Sequence, residues 1–208
     1  MLSHAAFAGK TDYEWFTFLR SQPNLDEVNF WRPSGRGFQA IPPQSPYLFE
    51  LKAPHKAIGG FGFFTRFERL PMWLAWDTFG LANGAPDLPS LMRVIGGHRS
   101  AGVTSDQTEI GCIMVRDAIF FGDNEFIRLP PGWPANIQVG KLLDIAGDEE
   151  GRRIWSECLD RAIARRVPDL SGTPDQRRRY AEERLCRQRL GQGSFRIEVS
   201  NAYNWACA

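Results

Sequence analysis

Two rhythms of apolar residues run through this chain, one with the spacing of a helix and one with that of strands. Near the start, Trp15, Phe16, Phe18 and Leu19 would give a helix one strongly apolar face, which Pro23 closes. Thr11-Asp-Tyr-Glu14 precedes it and predicts a capping box, the Thr11 hydroxyl accepting from the Glu14 amide while Glu14 reaches back. From Val28 the texture turns strand-like. Phe30-Trp31 leads into the turn-rich Pro33-Ser-Gly-Arg-Gly37, then come Tyr47-Leu-Phe-Glu-Leu-Lys52 and an apolar run from Ala57 to Phe67, split by Ala53-Pro54-His55. Short aromatic and β-branched runs bounded by Pro and Gly predict adjacent strands. Gly59, Gly60 and Gly62 predict a bulge, or a place where another backbone or a ligand comes close.

Pro71 suits the first position of a helix holding Trp73, Leu74, Trp76 and Phe79, which Asn83-Gly84 ends. A second short helix follows Pro89 with Leu91, Met92, Val94 and Ile95, and residues 97–108 are polar and loop-like. Ile110–Arg116 and Ala118–Phe121 predict further strands, and Gly132-Trp-Pro134 a turn. Past Gly147 the character changes. Residues 149–166 predict a helix with Ile154, Trp155, Leu159 and Ile163 on one side. Thr173 and Pro174 start an arginine-rich helix that ends at Gly191, a good C-cap position. Ser194 to Ala208 reads as a strand followed by the start of a helix. Strands and helices do not alternate strictly, so a doubly wound parallel sheet is not expected. The pattern predicts an α+β fold: a small, mixed or mostly antiparallel β-barrel with flanking helices, then an arginine-rich helical linker.

Composition adds limits. With 24% charged and 43% hydrophobic residues the chain is ordinary for a globular protein, and 208 residues suffice for a real core. No apolar run approaches the roughly 20 residues of a membrane span. Met1 to Lys10 lacks the layout of a signal peptide, so the cytoplasm is expected and a membrane is not. Cys112, Cys158, Cys186 and Cys207 are scattered without a CxxC pair, which predicts free thiols. The net charge of +1 conceals a division: residues 151–208 carry twelve arginines against seven acids, leaving the preceding part at −4. An arginine-rich tail suits a polyanion. A solvated helix with intrahelical Glu–Arg pairs suits the same counts.

Several stretches together resemble the N-terminal domain of bacterial HNH endonucleases of the restriction-enzyme type. They are Thr11-Asp-Tyr-Glu-Trp-Phe, Asn29-Phe-Trp-Arg-Pro-Ser-Gly35, Tyr47-Leu-Phe-Glu-Leu-Lys-Ala-Pro-His55, Gly59-Gly-Phe-Gly-Phe-Phe64, Leu74-Ala-Trp-Asp-Thr-Phe-Gly80 and Ile110-Gly-Cys-Ile113. Arg189 to Arg196 and Asn201 to Cys207 resemble the lead-in to the HNH domain of those proteins. The strand–glycine–strand pattern and the Phe30-Trp31 strand start are also similar to PUA-superfamily folds such as EVE, whose barrels hold flipped, modified bases. The resemblance implies three parts: a PUA/EVE-like recognition domain over 1–147, a helical linker over 148–192, and the start of a nuclease domain over 193–208. HNH chemistry needs histidines that activate water and hold a divalent metal. His4, His55 and His98 match none of them, and none follows residue 98. The chain itself is therefore expected to be non-catalytic and to hold no cofactor, the metal belonging to the HNH domain of the parent endonuclease.

Reading a base needs other parts. A base leaves the stack at a cost of a few kcal/mol, to be offset by stacking on an aromatic ring and by hydrogen bonds to its edge. The base-binding candidates are Trp31, Ser34, His55, Phe61, Phe63 and Phe64; Trp73, Trp76 and Trp133 are further aromatics, the first two more suited to a core. Trp31 leads because polar, turn-forming residues follow it. Arg32, Arg36, Lys52, Arg177, Arg178 and Arg179 are the candidates for phosphate contact. The expected partner is double-stranded DNA with a modified base, and a 5-substituted cytosine suits an apolar aromatic pocket. N6-methyladenine, an RNA-binding PUA-like role and a protein-interaction role remain as alternatives. Because HNH nucleases often pair to cut both strands, the resemblance leaves room for a homodimer.

Overall fold

A computed structural model of the chain describes residues 4–23, 25–99, 105–134, 138–166 and 192–202. Within them lie strands β1 (Ala5–Thr11), β2 (Glu27–Arg32), β3 (Pro46–Leu51), β4 (Ala57–Pro71), β5 (Glu109–Phe120), β6 (Ile127–Arg128) and β7 (Gly140–Asp144). The helices are α1 (Tyr13–Ser21), α2 (Met72–Phe79), α3 (Leu88–Gly97), α4 (Glu149–Arg166) and α5 (Gln192–Ala202). The strands are hydrogen-bonded in the order β2-β5-β4-β3-β1-β7, with β6 on β4. β1 and β3 run parallel, whereas the β1–β7, β2–β5, β3–β4 and β4–β6 pairs are antiparallel. The fold is thus α+β with a mixed sheet. It corrects the expected barrel: among the described residues the strand path has two ends, β2 and β7, and does not close.

The chain divides into two compact units. The first takes residues 1–13, 40–63 and 119–189. Ala5–Thr11 is poor in β-formers, yet β1 is paired on both sides, with β3 and with β7. That pairing overrides propensity. It also replaces the predicted capping box, for Thr11 ends β1 and its hydroxyl donates to the Gly9 carbonyl at 2.8 Å. Gly9 lies under the Tyr47 ring, where a Cβ would sit 2.2 Å from the phenol oxygen. In β3 and β4 the register runs Leu48↔Phe61 and Phe49↔Gly60, then shifts to Glu50↔Ile58. Gly59 is the extra residue of this bulge. Its carbonyl accepts from the Phe121 amide at 2.7 Å, and a Cβ on Gly60 would strike the Ile119 carbonyl. Another backbone, rather than a ligand, explains these glycines. The shift keeps Ile58, Phe61 and Phe63 on one face, packed with Ala6, Ala8, Leu48 and the α4 residues Ile154, Trp155, Cys158 and Leu159. On α4, Arg153 pairs with Glu150 and Glu157, and Arg161 with Glu157. For these arginines the Glu–Arg alternative holds.

The second unit takes residues 14–39, 64–118 and 190–208. Trp15, Phe16 and Leu19 are the buried face of α1, and the Trp15 indole meets the Phe30 ring edge-on at 5.3 Å. Pro71 precedes α2, and a 3-10 turn, Gly80–Asn83, follows that helix. Gly84 stands beyond it at φ 78°, a left-handed position, with the Trp15 indole against its Cα. Asp87 caps α3 by accepting from the Ser90 amide at 2.7 Å, and the Ser90 side chain, then this amide bond, hold its carboxyl below its ordinary value. The two predicted strands after Ile110 are one strand, β5. The predicted strand from Ser194 is helix α5, whose Ile197 is buried among Met72, Phe79 and Met114. Cys112 here and Cys158 in the first unit are free and buried, and desolvation pushes the Cys112 thiol up to about 12. Among the described residues no helix is long and apolar enough to cross a membrane.

Candidate functional site

In the second unit, β2 carries Glu27, Asn29 and Trp31 in alternation. Asn29 donates to the Asn83 side chain at 2.9 Å, and the Trp31 indole N–H donates to the Asn83 carbonyl at 3.0 Å. Asn83 is fixed in turn by donating to the carbonyls of Ala75 and Gly80. Trp31 is therefore held in the plane of its ring while staying half-buried at the strand end. The exposed His98 ring lies 6.0 Å from it, tilted by 49°. The loop after Trp31 is tied by arginines. Arg32 donates through Nη1 to the carbonyls of Arg36 and Gly37, at 3.5 and 3.4 Å, and Arg99 donates to those of Pro33 and Glu109. Ser34, Arg36 and Arg69 are exposed on or beside the loop, the Arg69 stem 3.5 Å from where a Cβ on Gly35 would stand. A guanidinium has five donors, so an arginine that organises a loop through one nitrogen can still meet a phosphate.

The other candidates fare differently. Phe61 and Phe63 are fully buried and meet the Trp155 ring at 5.1 and 6.2 Å. Phe64 is buried against Phe38. These three rings are core, and their expected part in base binding gives way to packing. Alternation revealed which residues share a face but not that α4 covers it. His55 is half-buried in the first unit, stacked on Tyr13 at 4.1 Å with the Phe126 ring edge-on at 5.6 Å. Lys52 beside it is paired with Asp12. Arg177, Arg178 and Arg179 lie outside the described residues, as do Cys186 and Cys207.

A second polar group was not anticipated. Glu50 is fully buried in β3, at the bulge. Its Oε1 accepts from the Lys10 ammonium and, at 2.9 Å, from the indole N–H of Trp133. Oε2 is buried and, among the described residues, has no hydrogen-bond partner. Lys141 stands over the Trp133 ring at 4.3 Å. The signal was present in Tyr47-Leu-Phe-Glu-Leu: a charged residue amid an apolar strand must be paired if the strand is buried on both faces. Among the described residues no three His, Cys, Asp or Glu side chains gather where a metal could be held. Comparison with protein-family models, with curated proteins and with solved structures found no match to this chain.

Proposed function

We propose that this chain is a DNA-binding module that reads a modified base, the specificity part of a cytoplasmic, modification-dependent HNH endonuclease. The observation that supports it best is Trp31: an aromatic ring fixed in plane by Asn83, half-open, and followed at once by a loop organised by Arg32 and Arg99 and bordered by Arg36 and Arg69. A fixed ring next to arginines combines a stacking platform with phosphate contacts, which is what extruding a base from a duplex demands. The sequence resemblance supports the same reading and supplies the modified base, with a 5-substituted cytosine preferred. The PUA/EVE-like relationship enters with it, as an open sheet in place of a barrel. The test is a binding series at one salt concentration, on one duplex that is plain or carries 5-methylcytosine, 5-hydroxymethylcytosine or N6-methyladenine. Preference for one modified duplex is expected, and Trp31→Ala should lose roughly tenfold of that preference while keeping the fold. Equal affinity for all four duplexes would sink the reading.

A protein-interaction role is the second reading. It draws on Phe195 and Val199, one turn apart on α5 and 57% and 40% exposed. It gains if no duplex binds at physiological salt.

A further inference from the structure

Helix α5 is held on the second unit at one end of a polar row that has Trp31 at the other. Glu27, Asn29 and Trp31 alternate along β2, so their side chains leave it on one face, beside those of their register partners Arg116, Met114 and Cys112 on β5. Ser194 seats α5 on the first of them. Its amide and hydroxyl donate to the Glu27 carboxylate, and the hydroxyl lies 3.4 Å from Met114 Sδ. The seat admits no side chain at the preceding position: a Cβ on Gly193 would stand 2.3 Å from the Phe79 ring and 2.9 Å from Glu27 Oε2. Further along, Arg196 donates to the Asp77 carbonyl at 3.0 Å and pairs with the Asp77 carboxylate. α5 therefore bears on α2.

α2 in turn bears on Trp31 through Asn83. The Asn83 amide spends its two donors on the Ala75 and Gly80 carbonyls, at 3.1 and 2.9 Å. Its side-chain oxygen accepts from Asn29, and its backbone carbonyl holds the Trp31 indole N–H. Asn29 also donates to Cys112 Sγ at 3.4 Å. A buried polar network with its donors spent is made or broken as a whole, because packed elements move between discrete arrangements rather than stretch. α5 is the element best placed to leave it. The helix has 11 residues, short of what stands alone in water. Ile197 is the large apolar side chain that its described residues bury, whereas Phe195 and Val199 are exposed.

We propose that α5 is a strap whose seating on Glu27 sets the position of Trp31, so that helix and ring are freed together. Seated, the strap holds α2 against Asn83, and the ring stays in the plane that Asn83 dictates. Unseated, it releases α2, and Asn83 and the indole lose their fixed places. By reciprocity, whatever steadies Trp31 also steadies α5. As control of a binding ring the strap rests on the reading of Trp31 given above. The coupling itself is measured with no ligand present, so either can fail without the other.

The experiment follows hydrogen exchange by NMR at the α5 amides and at the Trp31 indole N–H, in the unaltered chain and in Ser194→Ala. Loss of the hydroxyl's bond to the carboxylate should speed both by the same factor, roughly tenfold. The Val115 amide, opposite Val28 in the β2–β5 ladder, should keep its rate. A Trp31 indole that keeps its rate while α5 exchanges faster would overturn the proposal. So would α5 amides unmoved by the substitution, which would deny the seat. A Val115 amide sped up with the rest would overturn it too, since the unit would then be unfolding as a whole. If Ser194→Ala does not fold, Arg196→Ala is read in the same way, with a smaller acceleration of both probes, because it removes only the exposed contacts to Asp77.

Discussion

Among the described residues each unit buries one glutamate on a strand, and the two are treated differently. Glu27 in the second unit is completed by helix α5: the Ser194 amide donates to Oε2 at 2.8 Å and the Ser194 hydroxyl to Oε1. A carboxylate at the first turn of a helix also meets the positive end of its dipole. Even so, desolvation outweighs these bonds and raises the Glu27 carboxyl above its ordinary value. Glu50 in the first unit has a lysine and an indole on one oxygen and, among the described residues, no donor on the other. Burial is common to both. What differs is completion: Glu27 has donors on both oxygens, and Glu50, among the described residues, on one.

The comparison can be broken at its strongest point by Lys10→Met, which strips Glu50 of the cation paired with it. An uncompensated buried charge should cost about 3 kcal/mol in urea unfolding. A loss below about 1 kcal/mol would mean that the ion pair does not hold the first unit together. Next is Glu27→Gln, expected to cost about 1 kcal/mol because the amide cannot accept on both sides. Here the dependence on pH is sharper than the size. A carboxyl raised in the folded state keeps its proton to higher pH than the unfolded chain does. Its stabilisation is therefore full below 4.5 and is lost as the pH rises through the folded value. The unaltered protein should lose stability against the glutamine variant over that rise, and parallel curves would rule the linkage out. Smallest is Arg36→Ala, within about 0.5 kcal/mol in stability. Its effect should appear instead as a DNA-binding salt slope reduced by about one; an unchanged slope places Arg36 away from phosphate.

Much of the helical content was legible because it rests on local rules. Trp15, Phe16 and Leu19 and the apolar side of α4 follow from spacing. Trp31 was legible too, as an aromatic at a strand end before a polar loop. What escaped depended on partners distant in sequence. Ala5–Thr11 is a strand through its pairing with β3 and β7, not through its residues. Phe61 and Phe63 were read as ring faces for a base because nothing local shows that Trp155 covers them. Glu50 passed unremarked inside an apolar run, its partners 40 residues before it and 83 after it. Ser194 was assigned to a strand although its role is to begin a helix on Glu27.

The bulge at Gly59 makes β4 a strand that counts. With that residue set aside from the ladder, Ile58 falls on the same side as Phe61 and Phe63, and Glu50 is left opposite Ile58. Removing one residue between Ile58 and Phe61 would restore an uninterrupted ladder. Ile58 would then stand two positions from Phe61 and keep its side opposite Glu50, whereas a regular ladder that kept every residue would turn Ile58 away from the core and from its partner Ile127 on β6. The odd spacing of Ile58 and Phe61 suits one core face only because the backbone sets one residue aside.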